Sequence, residues 1–234
     1  MDLIEMLIQY NMTRQEAVIY LTLLANGDLN GYEVAKLTGI SRSNTYTSLA
    51  ALVEKGGAFV IEGPTTRYTP VFIEEFCDNK IKKLQELKQD LIKSIPQKKE
   101  EIEGYITIKG RNHILNKMRN MILEAKERVY LSVSKEILEA ILPEIKAGIS
   151  RGIKIVLITN EPFELEGTIS YYMEKSEQQI RLIADSTNVL TGDINDGENS
   201  TCLYSKKKNL IDLLKDSLKN EITLIEMMKG SRKT

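Results

Sequence analysis

The stretch Ala35-x-x-x-Gly39-Ile40-Ser41-Arg42-Ser43-Asn44 holds the densest set of residues able to do chemistry. A small Ala lets a second helix approach closely, Gly39 supplies the positive φ of a sharp turn, and Ser41 caps the helix that follows. On a helical wheel of residues 42–55, Tyr46, Leu49, Leu52 and Val53 gather on one side with Thr45. Ser43, Asn44, Thr47, Ser48 and Ala51 take the other side. That outer face is short, polar and uncharged apart from Arg42. Such side chains suit base edges and phosphates: Asn pairs with adenine, and an N-terminal Arg with guanine or phosphate. The helix's own free N–H groups suit a phosphate. The pattern predicts a helix-turn-helix whose second helix lies in the major groove of duplex DNA. The competing reading is a well-capped helix start on a winged helix that binds protein.

Two short β-prone runs follow, residues 58–61 and 67–71, around a Gly63-Pro64 turn. This ribbon favours the DNA reading, because its Thr65-Thr66-Arg67-Tyr68 segment can lie along a backbone or minor groove. Arg67 is the expected contact, and Tyr68 is expected to pack on the preceding helix. Other chemistry is sparse. His113 is the single histidine, which removes most histidine-dependent catalysis and most zinc sites, so neither a metal nor a cofactor is expected. Cys77 and Cys202 match no metal or redox spacing and read as reduced thiols of a cytoplasmic protein.

Charge argues against the DNA reading. The chain carries a net −1, and over residues 1–76 five cations (Arg14, Lys36, Arg42, Lys55, Arg67) face nine acids. A nucleic-acid surface is expected to be basic. The reading requires the few cations to point one way and a second subunit to double them. No apolar stretch approaches the roughly 20 residues of a membrane span, and the acidic start MDLIEMLIQYN lacks the basic region of a signal peptide.

The elements that must position these residues can be read along the chain. Residues 3–10 form a short amphipathic helix. Thr13-x-x-Glu16 is a capping box for a second helix ending near Gly27, and Asn30 with Glu33 repeats the logic for a third ending at Gly39. From Phe72 to Ile102, Ile81, Leu84, Leu91, Ile95 and Ile102 form an a/d stripe interrupted by Lys88 and Lys98, with Pro96 expected to kink or end the helix. A lone stripe of this kind implies a partner helix. Beyond Tyr105, helices are expected over 111–127, 135–150 and 206–219, with a last one from about Glu221. Strands are expected over 128–133, 153–159, 181–185, 188–193 and 200–204. The expected organisation is a winged helix over 1–71, a helical dimerisation linker over 72–103 and an α/β regulatory or effector domain over 104–234. The fold class is thus multidomain, α+β followed by α/β.

Several motifs resemble the TrmB-like regulators: Thr13-x-x-Glu16-Ala17-x-x-Tyr20, Gly39-Ile40-Ser41-Arg42-Ser43-Asn44-Thr45-Tyr46, and the Leu49/Leu52/Gly56 series with its wing. The likeness continues into Gly110-Arg111, Ala125-x-x-x-Val129 and Ala147-x-x-x-Arg151-Gly152-Ile153-Lys154-Ile155. It implies a dimeric repressor or activator, some members answering to sugars, with a phospholipase D-like C-terminal domain. Phospholipase D chemistry needs His-x-Lys-x4-Asp. His113 is followed by Ile114 and Leu115, and Ile180–Asp185 through Thr191-Gly192-Asp193, where the scaffold would carry the motif, lacks it. The expectation is a non-enzyme, with phosphodiesterase activity the alternative.

Ligands of α/β sheets sit at the carboxyl ends of strands. Ser132, Ser134, Thr159, Asn160 and Asp185 are therefore candidates for a small polar effector. Read structurally, Ser134 instead caps the helix at Lys135, and Asn160 and Asp185 are turn residues. A domain that only dimerises, with Tyr171-Tyr172-Met173 as interface or core, is the third alternative.

Overall fold

The computed structural model describes residues 2–95, 104–173, 178–195 and 199–231. The chain divides into two compact units, residues 1–99 and 100–234.

In the first unit, α1 (Leu3–Gln9) and α2 (Arg14–Asn26) precede a two-residue strand β1 (Leu29–Asn30). Then come α3 (Gly31–Thr38), α4 (Arg42–Glu54), β2 (Ala58–Ile61), β3 (Arg67–Pro70) and a long α5 (Ile73–Ser94). The expected capping boxes are both formed: Thr13 Oγ1 accepts from the Glu16 N–H while the Glu16 carboxylate accepts from the Thr13 N–H, and Asn30 and Glu33 do the same. Each satisfies two otherwise orphaned donors, which fixes where the helix starts. Gly39 takes the left-handed conformation at φ 71° and its N–H reaches the Ala35 carbonyl, so the chain leaves α3 at the angle that sets α4 across it.

The core of this unit joins Ala17, Ile19, Tyr20 and Leu23 of α2 to Leu49 and Leu52 of α4 and to Phe76 of α5. Full burial of such side chains is worth about 1.5–3 kcal/mol each, and it is what holds α4 in place. Tyr20 donates its hydroxyl to the Val71 carbonyl at 2.7 Å, and burial pushes that hydroxyl up to about 12, so it remains a donor. The strands form a small sheet in the order β1-β3-β2, with Asn30 opposite Arg67.

The second unit runs β4 (Tyr105–Lys109), α6 (Arg111–Glu124), β5 (Arg128–Ser132), α7 (Lys135–Ala140), α8 (Leu142–Ser150) and β6 (Lys154–Thr159). It continues through β7 (Thr168–Tyr172), β8 (Gln179–Ala184), β9 (Asn188–Asp193) and β10 (Thr201–Ser205) to α9 (Lys208–Ser231). The sheet order is β4-β10-β9-β8-β5-β6-β7, parallel among β5, β6 and β7 and antiparallel elsewhere. Alternation sorts its two faces. Val129, Leu131, Ile155, Leu157 and Leu182 pack with α6, α7 and α8, whereas Ile158, Ile183 and Val189 pack with α9.

Two expectations for this region need correction, and two of its strands were not foreseen. The helix expected over 135–150 is two helices meeting at Ile141, which is both the end of α7 and the start of α8. The two helices expected from residue 206 onward are the single α9, because Asn220 and Glu221 offer no breaker. Strands β4 and β7 were not expected; both are edge strands with half-exposed patterns that lack a continuous apolar run. Pro96 and Ile102 lie outside the described residues.

Candidate nucleic-acid interface

Helix α4 presents the predicted polar face, with one exception. Ser41 accepts from the Asn44 N–H at 3.4 Å and so caps the helix, and Arg42, Ser43, Asn44 and Thr47 are exposed. Thr47 donates its hydroxyl to the Ser43 carbonyl at 3.1 Å, leaving its oxygen able to accept from outside. Thr45, Leu49 and Leu52 are buried, as the wheel predicts.

Ser48 is the exception: it is buried and donates to Gln15 Oε1 of α2 at 3.5 Å. It stands three residues after Thr45 and four before Leu52, which places it on their face. Ser48 is therefore a packing residue and leaves the site. Tyr46, expected in the core, is half exposed instead.

In the wing, Thr65 and Thr66 are exposed at the turn between β2 and β3. Arg67 is not at the tip. It opens β3, donates to the Asp28 carbonyl and pairs with Glu33 at 3.2 Å, both beside its strand partner Asn30. It ties β3 to the start of α3, which corrects the expectation of a free phosphate contact.

Two other cations of residues 1–76 are also held in ion pairs. Arg14 pairs with Glu5, and Lys55 with the buried Glu16 at 2.7 Å. Among the described residues, Lys36 and Arg42 are the two left outside ion pairs. The guanidinium of Arg42 instead lies over the Tyr32 ring, 4.7 Å from its centroid.

The five effector candidates do not converge. Ser132 and Thr159 are buried at the carboxyl ends of β5 and β6. Ser134 caps α7 by accepting from the Ile137 N–H, Asn160 accepts from the Lys135 N–H, and Thr159 donates to the Glu161 carbonyl. Asp185 lies at the opposite end of the sheet, because β8 runs antiparallel to β5 and sets Ala184 opposite Val129. There its carboxylate accepts from the N–H groups of Lys126, Glu127 and Arg128 at 2.8–2.9 Å. Burial pushes that carboxyl up, but these three donors and the Lys126 charge outweigh it and hold the group below the usual carboxylate range.

Arg181, not a candidate from sequence, is the centre of a polar cluster at the Ser132 end. It donates to Ser132 and Ser217 and forms a largely buried ion pair with Glu221 of α9. No sequence signal distinguished it from a solvated strand residue. His113 is exposed in the first turn of α6, and burial pushes the Cys202 thiol up to about 12, which makes it inert as a nucleophile.

A helix-turn-helix with an exposed polar second helix, followed by a two-stranded wing, defines the first unit as a winged helix-turn-helix DNA-binding domain. Residues 7–74 match the family described as "Sugar-specific transcriptional regulator TrmB", and residues 104–220 match "Transcriptional regulator TrmB, EBD N-terminal subdomain". The chain belongs to the TrmB family and is a DNA-binding transcriptional regulator. It is similar to YrhO of Bacillus subtilis, with 27% identity across 99% of this chain and 88% of that one. It is also similar to the DNA-binding HTH-type transcriptional repressor TrmBL2 of Thermococcus kodakarensis, with 24% identity across 74% of each chain. A third relative is the HTH-type sugar sensing transcriptional regulator TrmBL1 of Pyrococcus furiosus, with 26% identity across 59% of this chain. The match spans 42% of that relative's length.

Proposed function

We propose that two copies of this chain bind a pseudo-palindromic operator, each placing the start of α4 in a major groove. Arg42, Ser43, Asn44 and Thr47 make the contacts there, and Thr65 and Thr66 touch the flanking backbone. The supporting observation is the arrangement of α4: Thr45, Ser48, Leu49 and Leu52 face the core, while its first two turns offer short polar groups, one arginine and the half-exposed Tyr46 ring to solvent. Residues 1–71 read the DNA, 72–103 pair the copies and 104–234 regulate. Pairing through α5 is supported by its apolar residues Ile81, Leu84, Leu87 and Leu91, with Ile95 at its C-cap, all exposed, because an apolar stripe of this length is stable when a second helix covers it. A pseudo-palindrome would then carry its half-sites about one DNA turn apart, roughly 34 Å.

The test starts from a random duplex pool, from which the full chain selects its preferred sequence at physiological salt. On that duplex Asn44→Ala loses about 1–3 kcal/mol, concentrated at one base pair per half-site. Equal loss on every sequence contradicts a base-reading role. Leu84→Glu is expected to lower the solution mass to that of one chain and to weaken binding with it.

A small polar effector is the second part of the reading. Ser132, Ser134, Thr159 and Asn160 are engaged within the fold, as is the Asp185 carboxylate, which moves the best-supported site to the Asn188 and Glu124 side of a cleft of about 400 Å³ that Asp185 also lines. Asn188 Oδ1 is buried there with no hydrogen-bond partner among the described residues, the kind of group a bound polyol satisfies. Against phosphodiesterase activity, the single histidine lies exposed in the first turn of α6 and is not followed by the Lys and Asp of the His-x-Lys-x4-Asp pattern. Reduced Cys77 and Cys202 support a cytoplasmic setting, and no described helix is long and apolar enough to cross a membrane.

A further inference from the structure

The surface beside the α4 polar face holds two tyrosines that the reading above leaves unused. Tyr32, in the first turn of α3, and Tyr46, in the second turn of α4, are 53% and 50% exposed, high values for large aromatic rings in a small domain. Arg42 meets the first of them. Its guanidinium lies over the Tyr32 ring at 4.7 Å, and Tyr46 follows it by four residues on the same side of α4. Tyr46 is itself seated against Gly31: a Cβ on that glycine would stand 2.4 Å from Tyr46 Cε1 and 2.6 Å from Cζ. Gly31 is buried and its neighbour Tyr32 is exposed, so the start of α3 has no side chain where the Tyr46 ring passes and an aromatic ring where Arg42 passes.

Three physical points give this arrangement a purpose. An arginine on a helix surface samples many rotamers, and ordering it on binding costs affinity. A guanidinium held over a ring is attracted through the ring face, which leaves its five in-plane N–H donors unused. Among the described residues, Arg42 is also, with Lys36, one of the two side-chain cations up to residue 76 outside an ion pair, so no described carboxylate competes for those donors. A fork that is held, unpaired and at the N-terminal end of the helix suits two adjacent acceptors in one plane. Guanine O6 and N7 in the major groove have that geometry.

We propose that Tyr32 is the positioning residue for Arg42, holding its guanidinium ready to grip a guanine edge. This rests on the reading that α4 enters a major groove, and it adds which base is read and what prepares the reader.

The experiment uses the full chain and the duplex selected from the random pool. The same duplex is also made with each guanine of the half-site replaced in turn by 7-deazaguanine, which removes the N7 acceptor. Arg42→Ala is expected to weaken binding at least tenfold on the selected duplex and to make one 7-deazaguanine position silent. Tyr32→Ala is expected to weaken binding two- to fivefold through that same position, and Tyr32→Phe, which keeps the ring face, to restore it. The double variant is expected to bind no more weakly than Arg42→Ala alone. Because Tyr32 is exposed, all variants should keep the wild-type unfolding temperature, which is measured alongside.

Three outcomes overturn the proposal. Additive losses in the double variant mean that Tyr32 acts apart from Arg42. Loss in Arg42→Ala that is equal across all base substitutions, with no silent guanine, makes Arg42 a phosphate contact. Failure of Tyr32→Phe to restore binding assigns the effect to the hydroxyl. If the wild-type chain enriches no sequence at all, the groove-reading function falls and this proposal with it, an outcome distinct from the other three.

Discussion

The two units contain similar polar side chains at the ends of their elements, yet use them in opposite ways. At the start of α4, Arg42, Ser43, Asn44 and Thr47 are exposed. At the strand ends of the second unit, Ser134, Asn160 and Asp185 bond to backbone N–H groups, and Thr159 to a backbone carbonyl. The difference follows from what each location demands. A helix start needs one cap, which Ser41 provides, and the residues after it are free. A loop leaving a buried strand exposes several backbone groups at once, and nearby polar side chains are drawn in to satisfy them. A polar residue is therefore better evidence of a binding surface just inside a capped helix than just beyond a buried strand.

Substitutions can break this contrast. The largest effect is expected at the Arg181–Glu221 pair, whose side chains are 13% and 10% exposed. Glu221→Leu leaves the arginine charge buried without its partner and should cost about 3 kcal/mol, read as a lowered unfolding midpoint in denaturant. An unchanged midpoint would mean that solvent reaches the pair.

Asp185→Ala comes next. It removes three accepted hydrogen bonds at a residue whose φ of 49° already disfavours alanine, for an expected loss of about 2 kcal/mol. The sign with pH is fixed by the direction of the shift. A carboxyl held low in the fold stabilises above its unfolded pKa of about 3.9, and that contribution disappears as pH falls through the folded value. The stability gap between wild type and Asp185→Asn should therefore be full at pH 7 and shrink below about pH 4.

A smaller effect sharpens the contrast from the other side. Arg67→Ala should leave the salt dependence of DNA binding nearly unchanged, because Arg67 bonds to Asp28 and Glu33. It should destabilise the first unit by no more than about 1 kcal/mol, as exposed pairs do. A salt slope lowered by about one unit would instead make Arg67 a phosphate contact.

What was legible in the sequence was whatever local chemistry decides. The capping boxes at Thr13 and Asn30, the Gly39 turn, the Ser41 cap and the strand at 188–193 could each be read from neighbours a few residues apart. What was not legible depends on partners distant in the chain. That Asp185 sits away from Ser132 follows from the antiparallel pairing of β8 with β5. Arg67 is tied down because β1, too short to predict, pairs with β3. Tyr46 stays at the surface because Gly31, on another helix, gives its ring a seat. Ser48 is a different case, since its face was readable from its spacing to Thr45 and Leu52.

Whether the start of α4 enters a duplex is decided by hydrogen exchange of the full chain, with and without its selected duplex. Binding should slow exchange most strongly across residues 42–47, where the first amides of the helix lack intrahelical partners. Slowed exchange confined to other segments, with 42–47 unchanged at saturating duplex, would mean that α4 stays outside the groove.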